Sequence, residues 1–333
     1  MARTINEAFF EFMRYSVDLD PKDVVTARFS RDNLLENIAE LDCRGFFRLY
    51  PDVNIQFGSF ARKTKKRPLD DIDLMIGIAA DNGKYYAEDP WNDIRIKASP
   101  TNLAQQECLN DDGVTLNSTK VLNLFKSKLE NIRDYSRSEI HKNGEAVTLN
   151  LKTRDWAFDI VPCFFTEQDE DNGGRTYYLI PNGQGGWQKT DPRIDRDYIG
   201  FINRKYKGAA LPLIRLCKKW NEVKQVKTLP SYLLETIIVD YFKSSPKLYG
   251  YFDLDFWNIL AFLQTRITSP VYDIKGIQGD LSRAVNILDR AKIALRAKTD
   301  CEKIQAVLSN HCTQEEYIIL WRDIFGQEFP TYG

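Results

Sequence analysis

Asp71 and Asp73 flank Ile72 and lead into the apolar run Leu74-Met75-Ile76. In an extended strand, residues i and i+2 share one face, so the two carboxylates project side by side while Ile72 and Leu74 turn into the core. Two carboxylates held that close repel and do not both ionise cheaply. A divalent cation relieves the repulsion, and Mg²⁺ in phosphoryl-transfer sites is held by one or two carboxylates plus substrate phosphates. Upstream, Gly58-Ser59 follows a short alternating run and supplies what a triphosphate needs: backbone without a side chain, and a hydroxyl donor. A third acid, Asp159, sits in the strand-like run Phe158-Asp159-Ile160-Val161-Pro162. Asp-Ile-Asp by itself also describes a strand end with two solvated acids. It is the combination with Gly58-Ser59 and Asp159 that points to metal-assisted phosphoryl transfer.

That combination resembles the polymerase-β-type nucleotidyltransferase superfamily, and more closely the bacterial cGAS/DncV-like nucleotidyltransferases. The narrower match runs in order through Phe57-Gly58-Ser59-Phe60-Ala61, Pro68-Leu69-Asp70-Asp71-Ile72-Asp73, Phe158-Asp159-Ile160-Val161-Pro162 and Trp187-Gln188-Lys189-Thr190-Asp191-Pro192. It continues through Lys218-Lys219-Trp220-Asn221, Ser231-Tyr232-Leu233-Leu234-Glu235 and Phe325-Gly326-Gln327-Glu328-Phe329-Pro330. The resemblance implies an α+β chain: a polymerase-β-like lobe with a mixed sheet and a long N-terminal spine helix, then a C-terminal helical lobe. It implies two Mg²⁺ or Mn²⁺ ions on Asp71, Asp73 and Asp159, with Asp159 drawing the proton from the acceptor hydroxyl. It implies further that Lys218 or Lys219 reaches the β- and γ-phosphates, that Ser231 hydrogen-bonds the triphosphate, and that Tyr232 stacks on a base. Thr190 and Asp191 fall where the family's lid-like linker contacts the donor base. The lysines and the tyrosine also have a structural alternative: solvated helix lysines at 218 and 219, and a core aromatic at 232.

Composition narrows the function classes. The 333 residues allow one large or two ordinary domains. A net charge of −1 argues against a duplex-DNA partner, whose phosphates call for a basic excess. No apolar run approaches the ~20 residues of a membrane span, and the N-terminus carries no apolar signal segment, so a cytoplasmic protein is expected. Six scattered cysteines without CxxC spacing read as reduced core thiols.

The supporting elements follow from periodicity. Residues 21–42 read as a helix, with Pro21 in its first turn and Arg44-Gly45 ending it. Strands are expected at Val53–Phe57, Leu69–Ile78, Ala146–Lys152, around Asp159 and at Tyr177–Ile180. A helix is expected over Leu116–Asp134. Residues 81–100 read as a surface excursion, and Asn182–Gly186 as a flexible loop. The charge run Arg62–Arg67 reads as a solvated loop or as a basic rim near the phosphates. Helices are expected at 209–224, 230–243, 255–265, 280–298, 301–310 and 313–325. The division follows: 1–200 as catalytic core, 201–333 as helical nucleotide-binding lobe and tail, with nucleotides in the cleft between them.

The function implied is synthesis of a cyclic di- or trinucleotide from NTPs with release of pyrophosphate, in anti-phage (CBASS) signalling through a downstream effector. Two other readings remain: a transferase adding NMP to an RNA end or a protein side chain, and a catalytically silent nucleotide sensor. Finally, Pro330 projects the tail Thr331-Tyr332-Gly333, and a terminal Gly333 fits the channel of an E1/E2-like conjugating enzyme of the kind that some operons of this family encode.

Overall fold

All the strands lie within the first two-thirds of the chain, interrupted there by helices at the N-terminus and over Ser118–Glu130, and helical periodicity builds the last third. The computed structural model describes residues 2–43, 45–89, 91–170, 173–223, 229–310 and 312–333. Arg44, the expected helix stop, and residue 224 of an expected helix lie outside these.

In chain order the helices are α1 (Ile5–Phe12), α2 (Pro21–Ala39), α3 (Gly58–Ala61), α4 (Leu103–Gln106), α5 (Ser118–Glu130), α6 (Pro192–Lys205), α7 (Ala210–Val223), α8 (Ser231–Lys243), α9 (Phe252–Arg266), α10 (Ile287–Ser309) and α11 (Gln314–Phe325). The strands are β1 (Ile55–Phe57), β2 (Asp71–Gly77), β3 (Lys84–Asp89), β4 (Asp93–Lys97), β5 (Glu139–Asn143), β6 (Ala146–Asn150), β7 (Ala157–Phe165), β8 (Tyr178–Pro181) and β9 (Trp187–Thr190).

The chain forms two compact units. One comprises residues 22–62 and 69–196, the other 1–21, 63–68 and 197–333. The first holds a mixed sheet in the order β1-β2-β7-β8-β9-β4-β3, with β6 also on β7 and β5 on β6. β2 and β7 run parallel and the other pairs antiparallel. Ile72, Leu74, Phe158 and Ile160 are buried, the alternation that sets the register of the two central strands.

The second unit is helical. Its core gathers Phe9 and Phe12 of α1 with Trp220, Phe256, Trp321, Phe325 and Phe329. This apolar face places residues 1–21 with the C-terminal helices, although sequence position groups them with the core of 1–200. Phe9 packs edge-on against Trp321 with ring centroids 4.8 Å apart, a geometry that adds to area burial.

Several local expectations change. Residues 81–100 contain the hairpin β3–β4, in which Ile94 and Ile96 are buried and Arg95 between them is not, so the stretch expected as a surface excursion joins the sheet through β9. The two helices expected across 280–310 are one, α10, preceded by a 3₁₀ turn at Leu281–Ala284. Asn182–Gly186 is ordered by the Asn182 carboxamide, which accepts from the N–H of Gln184 and Gly186. Within the charge run Lys63 is exposed, as a solvated loop would have it, but three of the cations are paired. Arg62 lies 3.5 Å from Asp195, Lys66 2.8 Å from Glu222 and Arg67 3.8 Å from Asp20. Cys108, Cys163, Cys217 and Cys301 are free buried thiols. Among the described residues no helix is long and apolar enough to cross a membrane.

Candidate active site

The parallel register of β2 and β7 puts Asp73 directly opposite Asp159, and Asp71 opposite Ala157. Paired residues in a parallel ladder share a face, and so do residues two apart on one strand. All three carboxylates therefore stand on one face, each half-buried, while the alternate positions Ile72, Leu74, Phe158 and Ile160 fill the core. β6 adds a fourth polar group to that face. Thr148 lies opposite Asp159, and its Oγ1 donates to Asp159 Oδ1 at 2.5 Å. This bond orients the carboxylate and occupies one of its oxygens. Nothing in the local sequence around Thr148 announces it; only the register does.

Gly58 begins α3 at φ +68°, in the left-handed region. A Cβ built there would lie 1.7 Å from Asp73 Oδ2 and 2.4 Å from Asp73 Cγ. The absence of a side chain is thus what lets the Asp73 carboxylate lie against the chain at Gly58-Ser59. Gly58→Ala is expected to push Asp73 off its position and strain the backbone, lowering turnover tenfold or more, ~1.4 kcal/mol of barrier. Steady-state pyrophosphate release measures it, with circular dichroism to check that the sheet persists. Near-normal turnover would mean that the close approach has no role in the site.

The donor set fits a hard cation: three carboxylates on one face, one of them held in a cradle that a Cβ would fill. Among the described residues no three acidic, imidazole or thiol groups are already drawn into one metal-sized cluster.

The other sequence-predicted residues sit in the helical unit, apart from Thr190 and Asp191. Lys218 and Lys219 on α7 are both buried. The Lys218 ammonium pairs with Glu235 of α8, whose other oxygen accepts from Thr64 Oγ1 at 3.0 Å. Lys219 lies 2.9 Å from Glu328. Ser231 opens α8 and is exposed, one turn before Glu235. Tyr232 is half-buried. Its hydroxyl donates to Asp273 Oδ1 at 2.6 Å, and the Lys275 ammonium lies 4.5 Å from the ring centroid. Burial pushes the Asp273 carboxyl up, but Lys275, the Tyr232 hydroxyl and backbone N–H groups outweigh it and leave it below its ordinary value.

Thr190 ends β9 and is 9% exposed, and Asp191 is 4% exposed. Asp191 is committed to Arg193, with Nε–Oδ1 at 2.7 Å and a second bond to Oδ2 at 2.9 Å. Trp187 and Trp220 are fully buried. Trp187 Nε1 donates to the Leu116 carbonyl and Trp220 Nε1 to Asp300, so both act in packing. The tail does not project. Ala2 N–H donates to the Thr331 carbonyl at 2.9 Å, Gly333 N–H donates to the Ala2 carbonyl at 3.3 Å, and Phe329 is fully buried. Gly333 would have to peel away from Ala2 to enter any enzyme channel.

Sequence reasoning missed Thr148, Glu235, Asp273 and Lys275. Only Glu235 left a local signal, one helical turn after Ser231.

No family model matches the chain. A curated Bacillus cereus (strain VD146) protein, named a probable cyclic nucleotide synthase, is 40% identical over 348 residues, spanning 100% of this chain and 99% of that one. The cyclic AMP-AMP-AMP synthase of an Acinetobacter species is 25% identical over 213 residues, 60% of this chain and 57% of that one. Among solved structures, Escherichia coli MS115-1 CdnC in its HORMA-deltaN complex superposes with TM-score 0.72 at 15% identity, over 98% of both chains. Vibrio cholerae DncV, a cyclic AMP-GMP synthase, superposes with TM-score 0.59 at 13% identity, over 84% of this chain and 69% of that one.

Proposed function

The chain belongs to the bacterial cGAS/DncV-like nucleotidyltransferases, the cyclic nucleotide synthases, and from that premise we propose that it joins NTPs into a cyclic di- or trinucleotide with release of pyrophosphate. The observation that carries this reading is the register that sets Asp73 beside Asp159, with Asp71 on the same face. The acceptor hydroxyl attacks the α-phosphorus of the donor NTP. The bond from that phosphorus to the bridging oxygen breaks, and pyrophosphate leaves. Asp159, oriented by the Thr148 hydroxyl, takes the hydroxyl proton. A last transfer within the linear product closes the ring.

Asp71, Asp73 and Asp159 would hold two Mg²⁺ or Mn²⁺ ions, which when bound supply charge stabilisation at the transferring phosphate. The chain itself supplies position. Gly58 admits the Asp73 carboxylate, Ser59 offers a hydroxyl donor, and Lys218 or Lys219, with Ser231, binds the triphosphate. Tyr232 stacks on a base. The product then acts on a separate effector, the anti-phage role that the family implies.

The test is direct. Purified protein is incubated with four NTPs and Mg²⁺ or Mn²⁺, treated with phosphatase, and analysed by mass spectrometry. A phosphatase-resistant product with the mass of a cyclic di- or trinucleotide is expected. Linear products alone would overturn this reading, and transfer of labelled NMP to RNA or to a protein, in a parallel reaction supplied with both, would replace it with one of the other transferase chemistries.

The base platform is tested separately. Tyr232→Ala is expected to weaken nucleotide binding by ~1–3 kcal/mol, the worth of base–aromatic stacking. Tyr232→Phe keeps the ring and loses only the internal bond to Asp273, so its nucleotide affinity is expected to change little. Isothermal titration with a non-hydrolysable NTP reads both. Equal affinity for Y232A and the unaltered protein would assign the ring to packing alone.

A further inference from the structure

The turn after α9 is built around one carboxylate. Asp273 Oδ1 accepts from the Tyr232 hydroxyl at 2.6 Å and the Lys275 N–H at 3.1 Å, and Oδ2 accepts from the N–H of Ile277 at 3.1 Å and Gln278 at 3.0 Å. Asp273 N–H closes the turn on the Gly279 carbonyl at 2.8 Å. Gly276 and Gly279 supply the positive φ values, +70° and +67°, that so tight a turn requires. Asp273 is itself 6% exposed. The turn therefore has one fixed attitude toward the Tyr232 ring, and the residue it delivers is Lys275, whose ammonium stands over the ring face at 4.5 Å.

We propose that Lys275 reads the edge of the base that stacks on Tyr232 and favours a keto-bearing base, guanine or uracil, over an amino-bearing one, adenine or cytosine. The proposal rests on the reading of Tyr232 as a base platform. A base entering that face displaces the ammonium from above the ring to the rim of the base, a short swing for a flexible four-carbon stem. An ammonium carries only donors. At the exocyclic position that distinguishes them, O6 of guanine or O4 of uracil offers it an acceptor, whereas N6 of adenine or N4 of cytosine is an amino group that is itself a donor. Asp273 is a positioning residue here: it touches no substrate and fixes where the lysine stands.

The experiment compares the unaltered protein with Lys275→Met, Lys275→Arg and Tyr232→Ala. Each is given four NTPs at equal concentration, and the products are digested to nucleosides and counted by mass spectrometry. Isothermal titration with non-hydrolysable GTP and ATP gives affinities without turnover. K275M keeps an apolar stem over the ring and loses the donor. Its ratio of keto to amino bases, incorporated and bound, is expected to fall roughly fivefold or more. K275R keeps a donor and is expected to hold the original ratio. An unchanged ratio in K275M, with nucleotide affinity lost in Y232A, overturns the role of Lys275 and leaves the platform standing. Undiminished affinity in Y232A removes the platform and the proposal together. Incorporation of adenine and cytosine alone by the unaltered protein also overturns it.

Discussion

Asp73→Asn is expected to slow pyrophosphate release roughly 100-fold or more, a loss of about 3 kcal/mol of transition-state stabilisation, while the sheet stays folded. The substitution keeps shape and removes charge. Asp73 stands opposite Asp159 with its carboxylate in the space that Gly58 leaves open, so an amide fits where the carboxylate was. What is lost is an anionic oxygen that would hold the divalent cation at the transferring phosphate. Thermal stability without metal should hold or rise, because one of two like charges on adjacent strands is gone. Stopped assays of pyrophosphate release, paired with thermal melts, measure both. A slow variant with an unchanged melt supports the assignment. A variant that retains near-normal turnover sinks it.

Glu235→Ala is expected to destabilise the helical unit by about 3–5 kcal/mol, the usual cost of leaving one partner of a buried ion pair uncompensated. Glu235 is fully buried and Lys218 6% exposed, so water does not reach the stranded ammonium easily. Thr64 Oγ1 would lose its acceptor as well. The double variant Lys218→Met with Glu235→Leu should recover most of the loss, since apolar groups of similar volume often replace a buried ion pair at no net cost. Chemical denaturation of the unaltered protein, Lys218→Met, Glu235→Leu and the double variant closes the cycle and reads the coupling. A double variant as unstable as Glu235→Ala would mean that the pair is not what holds α7 to α8. If Lys218 binds phosphate, the double variant folds but shows a raised KM for NTPs. If Lys219 does, its KM is unchanged.

Much of the site was legible because its signals are local. The alternation of Asp71 and Asp73 with Ile72 and Leu74 fixes which face the acids take, and the apolar run around Asp159 marks a second strand. The hairpin β3–β4 was not legible. Its buried residues lie on one face only, and the Asp- and Asn-rich stretches around it imitate a loop. Nor was the fate of the basic run 62–67. Charge runs are solvated on average, and only the arrival of Asp195, Glu222 and Asp20 from distant parts of the chain pairs Arg62, Lys66 and Arg67.

The sequence by itself determined the chemical inventory: three acids on strand-like runs, a Gly-Ser step before them, and helices in the last third. Tertiary structure alone decided that Asp73 meets Asp159 and not another residue of β7, that Thr148 holds Asp159, that Lys218 answers to Glu235, and that Ala2 pins the tail near Gly333. Strand and helix periods are short-range properties that each segment carries alone. Register and ion pairing belong to two segments far apart in the chain, and a one-residue slip in either would turn the same side chains to the other face.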